Sequence, residues 1–235
     1  MSLQAKIAAA AVLLERVQDE FSPATLANSL GAEDMVLTDL IARHAPGIEL
    51  FTLDTGRLNP ETYDLLAKVQ EVYGHKVTVR SYAPQAEAIQ RYVETNGINA
   101  FYHSVELRKQ CCGIRKVEPL ARALAGKKAW VTGMRRSQAS TRANMAEEEW
   151  DADHKLTKFN PLADWTEQEV WEYIRSNGVP YNALHDKHYP SIGCAPCTRA
   201  IAVGEDIRAG RWWWEDESGK ECGLHIQSQV ISRKS

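Results

Sequence analysis

Apolar and polar positions change period repeatedly along the first two-thirds of the chain. Strand-like runs are followed by helix-like stretches, a pattern that predicts a mostly parallel α/β sheet flanked by helices. Thr25 to Ser29 reads as a strand running into a turn at Gly31, with a helix to about His44. Ile48 to Leu53 is a short apolar strand, and Asn59 then caps a helix that has Pro60 at its first position and Glu61 in its first turn. Lys76 to Tyr82 alternates, with Val77 and Val79 on one face. A helix over Gln85 to Glu94 stops at Asn96-Gly97; the next is expected over Gly113 to Ala125, followed by a strand over Lys128 to Met134. Thr166 and Glu169 form a capping box stapled by Trp165 and Val170, opening a helix that runs to Asn177-Gly178. From about Arg208 no period is visible. The expected organisation is therefore a single domain over residues 1–207 and a mobile tail or lid over 208–235.

Ile7 to Leu14 is an unbroken apolar run of eight residues. Glu15 and Arg16 follow at once without a small-residue cleavage site, so an alanine-rich helix is expected rather than a secretion signal. The run is also too short to span a bilayer. The 235 residues suffice for one substantial domain, and 28 basic against 31 acidic residues give a net charge of −3, which argues against nucleic acid as the main partner. Five cysteines are too few and too uneven for a disulfide scaffold and point to the reducing cytoplasm.

Those cysteines divide four plus one. Cys111 and Cys112 are adjacent, Cys194 and Cys197 form C-A-P-C, and Cys222 stands alone in E-C-G-L-H. Adjacent cysteines rarely pair with each other, because the ring that would close is strained. Each can instead ligate a different iron of one cluster, with the C-x-x-C pair reaching the remaining irons. A zinc site and plain buried thiols are the competing readings, although vicinal ligands are awkward for one tetrahedral ion. Lys116 lies four residues after Cys112, on the same helical face. A lysine there, and a helix N-terminus nearby, would offset the negative charge of a thiolate-bound cluster. By itself Lys116 reads better as a solvated helix lysine.

G-M-R-R-S-Q-A-S-T-R places Arg135, Arg136 and Arg142 after a strand end, where open α/β sheets bind ligands. Arg199, Arg208 and Arg211 follow the second cysteine pair. Guanidinium groups suit bidentate contact with phosphate or sulfate, and this clustering in a net acidic chain favours an anionic substrate. S-L-G-A-E-D, with Ser29 and Gly31, could cradle a phosphate at a helix N-terminus but is not a Walker loop. L-D-T-G-R offers Asp54 and Gly56 to a nucleoside.

S-L-G-A-E-D, L-D-T-G, C-C-G-I-R-K, G-M-R-R-S-Q, C-A-P-C-T-R and E-C-G-L-H occur in that order from about Ser22 to His225. Together they resemble the assimilatory adenylyl-sulfate reductases, of the adenine-nucleotide α-hydrolase-like superfamily. The tail motif reads K-E-C-G-L-H, where members of that family often carry another residue at the position of Glu221. The resemblance implies one [4Fe–4S] cluster on Cys111, Cys112, Cys194 and Cys197, with Cys222 as the nucleophile. It implies Lys116, Arg208, Arg211 and His225 around the sulfate end of the substrate. Ser29, Gly31, Asp54, Gly56 and Arg136 would lie around adenosine 5′-phosphosulfate, with Arg135 and Arg142 counted among the anion-binding arginines.

The implied reaction is attack of the Cys222 thiolate on the substrate sulfur, with His225 and Lys220 close enough in sequence to lower the thiol pKa. With four cysteines committed to the cluster, the thiol that releases sulfite must come from outside, as in a dithiol protein such as thioredoxin. Three rivals remain: the same chemistry on 3′-phosphoadenosine 5′-phosphosulfate, an ATP pyrophosphatase-type enzyme, and a zinc-stabilised nucleic-acid-binding protein. The motif S-L-G-A-E-D lacks the second glycine and final serine of S-G-G-x-D-S, and the chain has no basic stripe. Trp212 to Trp214 suggest packing or partner docking rather than a membrane contact. A homo-oligomer remains compatible with the sequence.

Overall fold

The computed structural model describes residues 1–138 and 142–215. Among the described residues the centre is a six-stranded sheet in the order β3-β2-β1-β4-β6-β5. Its strands are β1 (Ala24–Ala27), β2 (Glu49–Leu53), β3 (Val79–Tyr82), β4 (Ala129–Val131), β5 (Glu148–Asp151) and β6 (Leu156–Phe159). All neighbours are parallel except β5, which runs antiparallel to β6 at the edge.

Both faces of the sheet are covered, and the central strands are apolar on both sides. Side chains alternate along each strand. Leu26, Leu50 and Val131 enter a large core beneath α1 (Leu3–Glu20), α2 (Ala32–His44), α3 (Pro60–Tyr73) and α7 (Glu167–Asn177). Phe51 and Trp130, one residue out of phase, enter a smaller core beneath α6 (Glu118–Leu124). The alanine-rich N-terminal run forms α1 and buries Ala10, Leu14 and Val17. No described helix is long and apolar enough to cross a membrane.

The chain passes from β1 outward to β2 and β3, crosses α4 (Ala86–Asn96), and returns to β4 on the other side of β1. That reversal opens a crevice between the carboxyl ends of β1 and β4, where open α/β sheets bind ligands. The capping box is present: the Thr166 hydroxyl accepts from the Glu169 N–H and the Glu169 carboxylate accepts from the Thr166 N–H.

Several local expectations change. Asn59 stands at the N-cap of α3, but its side chain makes no cap hydrogen bond. The hairpin of β5 and β6 is not visible in the apolar pattern, because Glu148–Asp151 is a polar edge strand. No helix begins at Gly113. Helix α5 (Val105–Cys112) is capped by the Ser104 hydroxyl and continues through a π-turn at Gly113–Val117 into α6. Cys111 and Cys112 therefore lie in the last turn of a helix, and the expected helix N-terminus beside them is absent. Residues 208–215, expected to begin the tail, are packed into the body, with Trp212 only 1% exposed.

Candidate functional site

The crevice at the switch point is a cavity of about 230 Å³. The β1–α2 loop forms one wall. Leu30 is held there at φ 63°, an uncommon conformation for a side chain with a Cβ, of the kind that concentrates at functional sites. Its N–H donates to Asn28 Oδ1 at 2.7 Å. Ser29 lines the cavity, but its N–H and hydroxyl both donate to Asp34 Oδ2, at 2.7 and 2.6 Å. The expected phosphate cradle is thus partly filled by a carboxylate of the chain itself. Burial pushes the Asp34 carboxyl up to about 6 against the lowering effect of the two Ser29 bonds. Opposite, Gly133 admits no side chain, since a Cβ would overlap Asp34 Oδ1. Gly31 is the N-cap of α2, behind Ser29.

The end of β2 gives Leu53 to the cavity, and the β2–α3 loop gives Thr55 and Leu58. Asp54 Oδ1 instead accepts from the Gly56 N–H (2.8 Å) and the Tyr63 hydroxyl (2.7 Å), closing the loop on itself. The arginines after β4 separate. Arg142 lines the cavity, held by Gln138 Oε1 at 2.5 Å. Arg135 is 3% exposed and paired with Glu33, on the wall of a second cavity of about 390 Å³. Arg136 bonds the Met145 carbonyl and Asp164 and lines neither cavity. Glu33 Oε1 also accepts from Gln138 Nε2 at 3.0 Å, so Glu33 and Gln138 brace Arg142 from behind. Gln138 was not singled out from the sequence.

Next to the switch-point cavity, Cys111, Cys112, Cys194 and Cys197, all free thiols, line one smaller cavity. Four cations, Arg57, Arg108, Arg115 and Lys116, stand around it. The π-turn after Cys112 supplies two of them. Arg115 donates to the Thr55 carbonyl, and the Cys194 thiol to the Thr55 hydroxyl at 3.3 Å. The Ala195 N–H donates to the Arg57 carbonyl at 2.8 Å, which ties the C-A-P-C loop to the β2–α3 loop. Lys116 lines both cavities and is the wall between them. Arg211 lies across Gly193, where a Cβ would overlap its guanidinium, and Gly193 in turn lines the switch-point cavity. Arg208 is half-buried and lines neither. Cys222, His225 and Lys220 lie outside the described residues.

The thiols differ in acidity. Burial pushes Cys197 up to about 12, reinforced by Cys194 and Cys112. Burial also raises Cys111. At Cys194 burial raises the thiol too, but Lys116, the Thr55 bond, Arg211 and Arg115 outweigh it and hold the thiol below its ordinary value. Among the described residues no three His, Cys, Asp or Glu side chains close on one point as a single ion requires. A four-iron cluster takes one thiolate per iron, and the donor set here, four thiols facing one cavity ringed by cations, fits that chemistry.

The fold and site define a class: an open α/β nucleotide-binding protein whose switch-point cavity abuts a four-thiol centre. The chain belongs to the family described by the phosphoadenosine phosphosulfate reductase domain, whose model matches residues 23–200. It is 56% identical over 224 residues to adenosine 5′-phosphosulfate reductase of Allochromatium vinosum, covering 95% of this chain and 87% of that one. It is 54% identical over 224 residues to the protein of the same name from Burkholderia cepacia, covering 95% and 89%. Among solved structures it is similar to phosphoadenylyl-sulfate reductase of Candida auris in its phosphate complex. That match has a TM-score of 0.67 and 30% identity, and covers 86% of this chain and 91% of that one.

Proposed function

We propose that this chain reduces adenosine 5′-phosphosulfate to sulfite and AMP in sulfate assimilation, with electrons from a dithiol protein such as thioredoxin. The observation that carries the reading is Lys116, one cation facing the switch-point cavity on one side and four cysteine thiols on the other. The names of the curated relatives, at 46–56% identity, support the substrate without a 3′-phosphate. The Candida auris neighbour, more distant at 30% identity, is named for the 3′-phosphorylated one.

In this account the adenosine phosphosulfate occupies the cavity between β1 and β4, with its sulfate toward Lys116. Arg142 and Lys116 balance the anionic groups, and Arg211, across Gly193, adds positive potential at the same end. The Cys222 thiolate attacks the substrate sulfur. A sulfur–sulfur bond forms, the sulfur–oxygen bond to the phosphate breaks, and AMP leaves with that electron pair. An external thiolate then attacks Cys222 Sγ, and sulfite departs with the sulfur–sulfur bonding pair. The second thiol of the partner closes a disulfide and frees Cys222, so one dithiol supplies both electrons. Cys111, Cys112, Cys194 and Cys197 would hold a [4Fe–4S] cluster, which when bound fixes charge and geometry around Lys116. Cys222 belongs to the C-terminal segment, and the work is done in the cytoplasm.

Replacing the nucleophile tests the scheme. Cys222→Ser is expected to abolish sulfite release while AMP binding and iron content stay at the wild-type level. Normal turnover by that variant would overturn the scheme. Zinc without acid-labile sulfide in the isolated protein would overturn the cluster.

A further inference from the structure

The cavity of about 390 Å³ that Arg135 borders takes no part in the proposed reaction. Its walls come from the first turn of α2, from α7, and from the segments around His185 and Gly204. His185 carries an orphaned atom there: its Nε2 is buried and has no hydrogen-bond partner among the described residues. The ring is held edge-on to Trp171, with centroids 5.1 Å apart. Burial lowers its pKa, so the imidazole is neutral at neutral pH. A backbone hydrogen bond at Tyr189, of the kind that favours protonation, uses the ring as a donor. The tautomer assigned from that bond leaves Nε2 as a bare acceptor. A buried acceptor without a donor is rare in a folded chain.

The negative charges of Glu33, Asp186 and Glu167 all bear on the same ring. Glu33 is spent on Arg135. Asp186 accepts from the Tyr181 hydroxyl at 3.1 Å, and neither it nor Glu167 is paired with a cation among the described residues. This arrangement repels an anion. Both helix N-termini at the cavity already hold carboxylates in their first turns, Glu33 and Asp34 on α2, Glu167 and Glu169 on α7. A single metal ion is not matched either, because no three His, Cys, Asp or Glu side chains among the described residues close on one point. A polyatomic cation with several N–H donors does match. It can span acceptors that one ion cannot bring together, and its carbon part can lie against Trp171 and Tyr181.

We propose that this cavity is a second ligand site, one that takes an organic ammonium ion: the N–H donors go to His185 Nε2 and to the Asp186 and Glu167 carboxylates, and the carbon chain packs on Trp171 and Tyr181. The site is separate from the phosphosulfate reaction and does not rest on it. Two sources carry this chemistry, a plain amine and an α-amino acid. Arg175, 5.8 Å from the Trp171 ring centroid and without a carboxylate partner among the described residues, suits the carboxylate of an amino acid.

The test is isothermal titration of the full-length, iron-loaded protein with n-butylammonium chloride and with norleucine, at matched ionic strength, with and without AMP. Saturable binding of at least one probe is expected, with a Kd of about 1 mM for ligands of this size. Tighter binding of butylammonium supports the site and makes its ligand a plain amine. Tighter binding of norleucine supports it too and brings in Arg175. No saturable binding of either probe would overturn the proposal, and so would displacement by AMP, which would put the probe in the switch-point cavity. His185→Phe keeps a ring against Trp171 and removes the acceptor; it is expected to weaken binding about 10- to 100-fold, and an unchanged affinity would overturn the proposal. If that variant does not fold, Glu167→Gln combined with Asp186→Asn changes two exposed side chains. The pair is expected to weaken binding about fivefold, and no change would again overturn the proposal.

Discussion

Lys116 and Asp34 show how single side chains set the character of the cavity. Lys116 faces the thiols and the switch-point cavity together. Lys116→Met keeps the stem and removes the charge, and it is expected to lower kcat/KM about 100-fold, the scale of one lost electrostatic contact in a closed site. Iron retention by the variant, measured in parallel, separates this effect from loss of the cysteine site; an unchanged kcat/KM would remove Lys116 from the chemistry. Asp34 carries a pH dependence. Burial lifts its carboxyl from 3.8 to about 6, a gap worth about 3 kcal/mol. The folded state holds this proton more tightly than the unfolded chain. The contribution is therefore complete below pH 3.8 and is lost as pH rises through about 6. Asp34→Asn cannot ionise, so its stability relative to wild type is expected to improve by about 3 kcal/mol between pH 4 and pH 7. Urea denaturation across that range checks it, and parallel stability curves would contradict it.

Among the elements, α7 and α5 mark what sequence patterning could and could not reveal. The Thr166–Glu169 box sets the start of α7, and Gly178 ends it at φ 62°. Both signals are local and both were legible. Thr166→Ala is expected to cost about 1 kcal/mol in chemical denaturation; a loss below a few tenths would mean that Lys6, which bonds Glu169 and the Asp164 carbonyl, holds the turn without the cap. Helix α5 is absent from the sequence reading, which starts the helix at Gly113 because Gly113 reads as punctuation, whereas the backbone carries α5 on through a π-turn that no local propensity announces. The β5–β6 hairpin was invisible because an edge strand needs no apolar alternation. Of the candidate arginines, Arg142 reaches the cavity while Arg135 and Arg136 are spent on Glu33 and Asp164. Spacing alone cannot make that division, because it depends on which carboxylates the fold brings alongside. Removing Glu215 takes the buried carboxylate away from the Arg108 guanidinium, so Glu215→Ala is expected to lose about 3–5 kcal/mol of stability. Replacing Arg108 and Glu215 together by apolar residues should recover most of it, and a single variant as stable as wild type would contradict the buried pair.

At the level of the whole molecule, one topological reversal accounts for the site. It opens the crevice between β1 and β4, and Lys116 of the π-turn parts that crevice from the cavity lined by the C-A-P-C loop. The two cysteine pairs, far apart in sequence, meet because the β2–α3 loop ties to both of their segments through Thr55 and Arg57. That meeting was foreshadowed by motif order but could not be derived from spacing. The most direct test of the account is sulfite release by anaerobically purified, iron-loaded protein with thioredoxin, comparing the two phosphosulfates side by side. A strong preference for adenosine 5′-phosphosulfate is the predicted result; a preference for the 3′-phosphorylated nucleotide, or silence with both, would contradict it.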